Sequence, residues 1–160
     1  MKIAFDKSKG PGIYIPPPLF YVATFLAAIF LQKKVPFATN FFHYRLSKVT
    51  GVALLITAVF FLFRSLRQFF LTKNTVMLIK PATSLQTTGI YSITRNPMYV
   101  GLLFVYIGLT FLIGNLWNFI FFPLLVIFIQ EYIIKREEKY LQHEFGQEYE
   151  MYKQRVRRWL

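Results

Sequence analysis

The chain has 160 residues, of which 55% are hydrophobic, 19% aromatic and only 16% charged. That leaves too little polar surface to cover a water-soluble domain of this size, so the sequence reads as a membrane protein. The net charge of +12 would point to nucleic acid in a soluble protein, but here the basic residues fall between apolar runs, where anionic lipid headgroups are the simpler partner; no nucleic acid is expected.

Taken in chain order, the opening stretch "MKIAFDKSKGPGIYIPPP" has no small-residue cleavage site after its first apolar run and does not read as a removable signal peptide. From Gly10 to Gln32 no residue is charged, and prolines at 16 to 18 suit the first turn of a helix, giving a first span over about 17–32. A second apolar run passes through Arg64 and Arg67, whose stems can reach the interface, giving a span over about 46–71. Residues 72–96 are too polar and too punctuated by Pro81 and Gly89 to cross. Between Asn96 and Gln130 there is again no charge, and Gly114-Asn115 and Asn118 offer a turn, so a hairpin of two spans is expected over about 97–113 and 116–134. The tail, 135–160, repeats apolar residues at Leu141, Phe145, Tyr149, Tyr152, Val156 and Trp159, which is one face of a helix or of two short helices joined near Gly146.

The expected fold is therefore all-α: one integral membrane domain over 1–160, a bundle of about four transmembrane helices with an amphipathic carboxy-terminal helical segment. With both termini cytoplasmic, fifteen of the nineteen lysines and arginines lie inside and the hairpin turn carries none. Lys33, Lys34, Arg45 and Lys48 fit that orientation less well and suggest a first loop lying along the interface.

Chemistry is confined by the placement of acid. Apart from Asp6, every carboxylate lies at Glu131 or later. No acidic residue follows a glycine turn at the spacing of a ribose acceptor, which excludes a soluble-type dinucleotide fold. The absence of cysteine excludes disulfides and a thiolate nucleophile, and His43 and His143 stand too far apart for a helical metal pair, so no metal is expected. Any polar cofactor must then be held by the 72–96 loop and the tail, which the hairpin returns to one side. Pro97 fits the first turn of the third span with Asn96 as its cap, and a helix start at a membrane surface, with Arg95 beside it, attracts a carboxylate or phosphate. A plainer reading also fits these residues: Asn96-Pro97 starts a helix, Tyr91 and Tyr99 belong to the interfacial aromatic belt, and Arg95 faces lipid phosphate. The tail by itself suits an interfacial anchor, but Glu137 and Glu138, one turn beyond the fourth span, are poor anchors and fall near the 89–99 loop.

"TGIYSITRNPMYVG", followed about forty residues later by "REEKYLQHEFGQEYEMYKQRVRRW", closely resembles the isoprenylcysteine carboxyl methyltransferase family, within the wider group of small membrane methyltransferases that includes phospholipid methyltransferases. The pattern there reads Gly-x-Tyr-x-x-x-Arg-His/Asn-Pro-x-Tyr-x-Gly, then Glu-Glu-x-x-Leu-x-x-x-Phe-Gly-x-Glu-Tyr-x-x-Tyr-x-x-x-Val-x-Arg, and each fixed position has a counterpart here. The resemblance covers residues 72–160. It implies S-adenosylmethionine at the cytoplasmic face, held by Gly89, Tyr91, Arg95, Asn96, Pro97, Tyr99, Glu137, Glu138 and Tyr149, and a lipophilic or lipid-modified acceptor arriving from the bilayer. Glu138, with Glu137, suits the amine or ribose; Arg95 and the amides after Asn96 suit the carboxylate; Tyr91, Tyr99 and Tyr149 suit adenine. Asn96 stands where the eukaryotic enzymes carry His, and it cannot carry a proton near neutrality. A prenylcysteine-type carboxylate acceptor needs no base, and Arg155 is expected to orient it; an amine acceptor needs one, and Glu138 or Glu148 is the candidate. The short chain and Asn96 favour a bacterial inner membrane. The competing readings are a lipid-amine methyltransferase, an intramembrane reductase using reduced nicotinamide, and a non-enzymatic scaffold in which Asn96, Glu138 and Arg155 tolerate alanine.

Overall fold

A computed structural model describes residues 10–72 and 81–160. Part of the expected loop, 73–80, and the first nine residues lie outside the described residues.

The described residues are all-helical, without a strand. Helix α1 (Pro18–Lys34) starts on Pro17 and Pro18, whose missing N–H groups cost nothing in a first turn, and ends on Lys33 and Lys34, which face its carbonyl end. Helix α2 (Arg45–Leu71) is preceded by a short 3-10 turn at Asn40–His43. After a second 3-10 turn at Gly89–Ser92, α3 (Pro97–Ile113) and α4 (Leu116–Phe128) form a hairpin through Gly114 and Asn115. A π-helical stretch, Ile129–Ile134, then joins α4 to α5 (Lys135–Arg155) with no intervening loop. The apolar part of this continuous Leu116–Arg155 helix and α2 are each long and apolar enough to cross a membrane, and α3 is a shorter apolar helix. Exposed Leu19, Val22, Leu26 and Phe30 on α1, and Val52, Ile56, Val59 and Phe63 on α2, are the lipid-facing stripes of a membrane protein.

Helix α3 is the centre of the bundle, with α2 against one side and α1 and α4 against the other. The α2–α3 contact is as close as backbones permit: a Cβ at Gly51 would fall 3.0 Å from the Gly108 carbonyl oxygen and 2.9 Å from Leu112, and one at Gly108 would fall 3.0 Å from the Gly51 carbonyl oxygen. Small residues let helices approach this way where lipid offers no hydrophobic drive to association. On the other side Tyr21, Tyr99, Tyr106, Leu125, Ile129 and Ile133 share one core with Ile13. A second cluster of Phe61, Ile90, Tyr91 and Val100 sits between α2, α3 and the Gly89–Ser92 turn, and Trp159 packs against both.

The tail is the kinked form of the two expected alternatives. Gly146, at φ 51° and ψ −119°, interrupts the helical backbone of α5 in a conformation a side chain would strain. The kink bends the second half of α5 back so that Tyr149 and Tyr152 are buried.

Candidate functional site

The loop between α2 and α3 is held from two directions. Its 3-10 turn buries Ile90 and Tyr91, and the Tyr152 hydroxyl donates to the Tyr91 carbonyl at 2.7 Å. The extended residues after α5 then cross the next stretch: Arg95 N donates to the Arg157 carbonyl at 2.9 Å, and Thr94 Oγ1 and Asn96 Nδ2 both donate to the Arg158 carbonyl, at 3.0 and 2.9 Å. Trp159 Nε1 donates to Gln130 Oε1 at 3.0 Å, tying this segment to the π-helical stretch.

Asn96 occupies the cap position of α3, but its side chain makes no capping bond. This corrects the sequence expectation: the amide is spent on Arg158, and the first amides of α3, Met98 and Tyr99, have no carbonyl four residues back in the helix to accept them. Pro97 supplies the first turn as expected.

A cavity of about 440 Å³ opens where these elements meet. Tyr91, Arg95, Asn96, Pro97, Tyr99, Glu137, Glu138 and Tyr149 all line it, which brings together every sequence-predicted cofactor residue except Gly89. Gly89, at φ 62°, lies beside Gln68 and shapes the turn from outside the wall. Arg155 is not brought to the cavity either: its side chain is exposed and its Nε donates to the Met151 carbonyl at 3.3 Å, one turn back on α5. The expected orienting role is thus not supported by position, because α5 turns this residue toward solvent.

The polar groups form one connected cluster. Glu138 accepts two parallel bonds from Arg158, Nε to Oε1 at 2.9 Å and Nη2 to Oε2 at 2.7 Å, and its Oε1 is 3.2 Å from Arg95 Nη1. Arg95 Nη1 also reaches the Tyr149 hydroxyl at 3.4 Å, while its Nε, fully buried, has no partner. Beside this group the Tyr99 hydroxyl donates to Glu137 Oε2 at 2.9 Å. Burial pushes the Glu137 carboxyl up to about 7; the neighbouring Glu138 charge adds to this and the Tyr99 bond opposes it. Burial likewise raises the Tyr91, Tyr149 and Tyr152 hydroxyls, so all three remain neutral donors.

Several lining residues carry no signal in the sequence reading. Pro11, Ile13 and Pro16, before α1, close one side, and Leu85 and Gln86, before the Gly89–Ser92 turn, close another. Tyr140 and Tyr152 add to the aromatic wall; Tyr152 belongs to the apolar periodicity visible in the sequence, and Tyr140 does not. Arg158, the last fixed position of the second sequence block, was visible there without a role.

Chemically, the arrangement offers a buried guanidinium N–H for an anion, a carboxylate with an oxygen to spare for a cation, and phenol rings for a flat ring system. The cavity volume is within the range of small-molecule sites.

Comparison with known proteins gives the same direction. A family model described as phospholipid methyltransferase matches residues 46–148. An uncharacterized protein of Haemophilus influenzae (strain ATCC 51907 / DSM 11121 / KW20 / Rd) is 41% identical over 63 residues, which are 39% of this chain and 100% of that protein. The protein-S-isoprenylcysteine O-methyltransferase of Schizosaccharomyces pombe (strain 972 / ATCC 24843) is 38% identical over 72 residues, 45% of this chain and 30% of that enzyme's length. No solved structure matches.

Proposed function

The chain belongs to the phospholipid methyltransferase family, and we propose that this membrane methyltransferase takes its methyl group from S-adenosylmethionine and passes it to a lipophilic carboxylate of the prenylcysteine type. The observation that carries the donor is the Arg95 guanidinium lining a tyrosine-rich cavity beside the Glu137–Glu138 carboxylates. The acceptor class rests on the resemblance to prenylcysteine methyltransferases, of which the fission-yeast enzyme is one.

Bound in this cavity, the donor supplies an electrophilic methyl group on a positively charged sulfur. Arg95, and the free amides at the start of α3, hold its carboxylate. Glu137, oriented by Tyr99, faces positive charge. Glu138 is fixed by Arg158 and stays an acceptor toward the cavity. The chain's remaining task is to align the acceptor oxygen with the methyl group and to keep water out, since a carboxylate acceptor is already ionised. Met98, Leu102 and Phe69 supply an apolar wall for that purpose.

One observation favours a second acceptor. A Glu137 carboxyl at about 7 is well matched to accept a proton from a lipid amine, which would make the product a methylated amine. Incubation with radiolabelled S-adenosylmethionine and bacterial lipid or prenylcysteine acceptors separates the two, because a methyl ester is lost in mild base and a methylamine is not. Absence of any labelled product, together with no calorimetric binding of S-adenosylmethionine by folded protein, would remove the proposal.

The arrangement of basic residues supports placing both termini and the cavity on the cytoplasmic side, and Asn96, where the eukaryotic relatives carry His, favours a bacterial inner membrane. Cysteine labelling at the exposed Ile113 and Gln154, from outside intact cells, tests that orientation.

A further inference from the structure

Resting on the methyl-donor reading above, we infer that Arg158 is a positioning residue: its guanidinium occupies Glu138, so that Arg95 keeps its own charge for the donor's carboxylate. Arg158 does not line the cavity, yet it holds three groups that do or that lie next to it. Its backbone carbonyl accepts from Asn96 Nδ2 and Thr94 Oγ1, which fixes the stretch around Arg95. Its side chain takes Glu138 by two parallel bonds, 2.9 and 2.7 Å, one to each oxygen. The Trp159 ring, packed against both apolar clusters, anchors the segment.

The count of charges gives this geometry its meaning. Two guanidinium groups share one carboxylate, Glu138, while Glu137 beside them is bonded to the Tyr99 hydroxyl. Arg95 and Glu138 are 3.2 Å apart with side chains only 10% and 14% exposed. A lone Arg–Glu pair so well buried closes into a neutral two-bond fork and has nothing to offer a second carboxylate. Here the fork belongs to Arg158, and Arg95 touches Glu138 through Nη1 alone, leaving its Nε without a partner. Removing the Arg158 side chain frees both Glu138 oxygens to take Arg95 for themselves. The backbone bonds from Asn96 and Thr94 survive that change, so the fold of the 94–96 stretch and the charge on Arg95 are separable.

The test is calorimetric binding of S-adenosylmethionine to the full chain in detergent, for the unmodified protein, Arg158→Ala, Glu138→Gln and the two combined, with Arg158→Lys alongside. Arg158→Ala weakens binding by about tenfold, the scale of a charge-assisted pair turned to a competing partner. In the presence of Glu138→Gln the same change has less than about a twofold effect, because the competing carboxylate is gone. Arg158→Lys recovers only part of the affinity, since an ammonium is a single point of contact. An equal loss in both backgrounds, or no loss in either, overturns the inference. Should Arg158→Ala not be recovered folded, Arg158→Lys carries the same comparison with a loss of about threefold confined to the Glu138 background. Unmodified protein that binds no S-adenosylmethionine overturns the donor reading and this inference with it; unmodified protein that binds, with Arg158→Ala unchanged, overturns this inference alone.

Discussion

Helices α3 and α4 both begin after an asparagine, and the two asparagines are used in opposite ways. Asn115 accepts from Trp117 N at 3.0 Å and caps its own helix. Around it, polar groups close the hairpin end: Lys48 Nζ donates to the Leu112 carbonyl at the end of α3, and Trp117 Nε1 donates to the Val35 carbonyl at 2.9 Å. Asn96 leaves its helix uncapped and donates instead to the Arg158 carbonyl. At the hairpin end hydrogen bonding caps α4 and closes the end of α3, although the buried Asn118 side chain has no partner there; at the cavity end the Asn96 amide is directed to the residues after α5.

The contrast is broken most severely at Arg95. Arg95→Ala should lower kcat/KM for methyl transfer by about a hundredfold, the scale of losing a preorganised charged donor, with insertion and folding kept; a loss below about threefold would leave Arg95 only a structural partner of Glu138. Next is pH. The Glu137 carboxyl is raised to about 7, so it is neutral below that pH and charged above it. Affinity for the positively charged donor should fall about tenfold per unit on going well below pH 7, and Glu137→Gln should flatten that profile. The sign for stability is the reverse: a carboxyl raised above its ordinary 4.5 favours the folded, donor-free protein below pH 4.5, and that contribution is lost as pH rises toward 7.

Smaller effects sharpen the comparison of the two asparagines. Asn96→Ala should weaken donor binding by about fivefold, because the stretch that holds Arg95 loses one of its two side-chain bonds to the Arg158 carbonyl, with a smaller loss in thermal midpoint than at Asn115 because Thr94 still satisfies that carbonyl. Asn115→Ala should do the converse, lowering stability by about 1 kcal/mol while leaving turnover per folded molecule unchanged. Equal thermal losses in the two variants would erase the distinction.

Much of this was legible because it depended on spacing. Pro97 marked the start of α3, Gly114 and Asn115 marked the hairpin, and Gly146 marked the kink in α5. The two sequence blocks supply half of the cavity wall. What spacing could not supply was direction. Arg155, Arg157 and Arg158 are neighbours in a basic run, and only the exit from helix after Arg155 into extended backbone at Val156 decides that Arg158 meets Glu138 while Arg155 faces outward. The capping role of Asn96 failed for the same reason: a good cap residue was claimed by a stronger arrangement that arrives from sixty residues away. The contribution of residues 11–16 was invisible because apolar prolines before a helix read equally well as a helix start.

The unbroken passage from α4 through the π-helical stretch into α5 has a mechanical side. Glu137 lies 21 residues beyond Leu116 on one helix, about 32 Å along its axis at 1.5 Å per residue. That is close to the ~30 Å thickness of a bilayer's hydrocarbon core. With the hairpin at one face, as in the proposed topology, the carboxylates fall near the other, on a rod and not on a loop. A thicker or thinner membrane changes the tilt of such a rod, and with it the height of Glu137 and Glu138 above the lipid tails. The reacting centre is thereby coupled to the depth of its surroundings, and reconstitution in vesicles of graded acyl-chain length should show a rate optimum where that height and the acceptor's own position in the bilayer coincide.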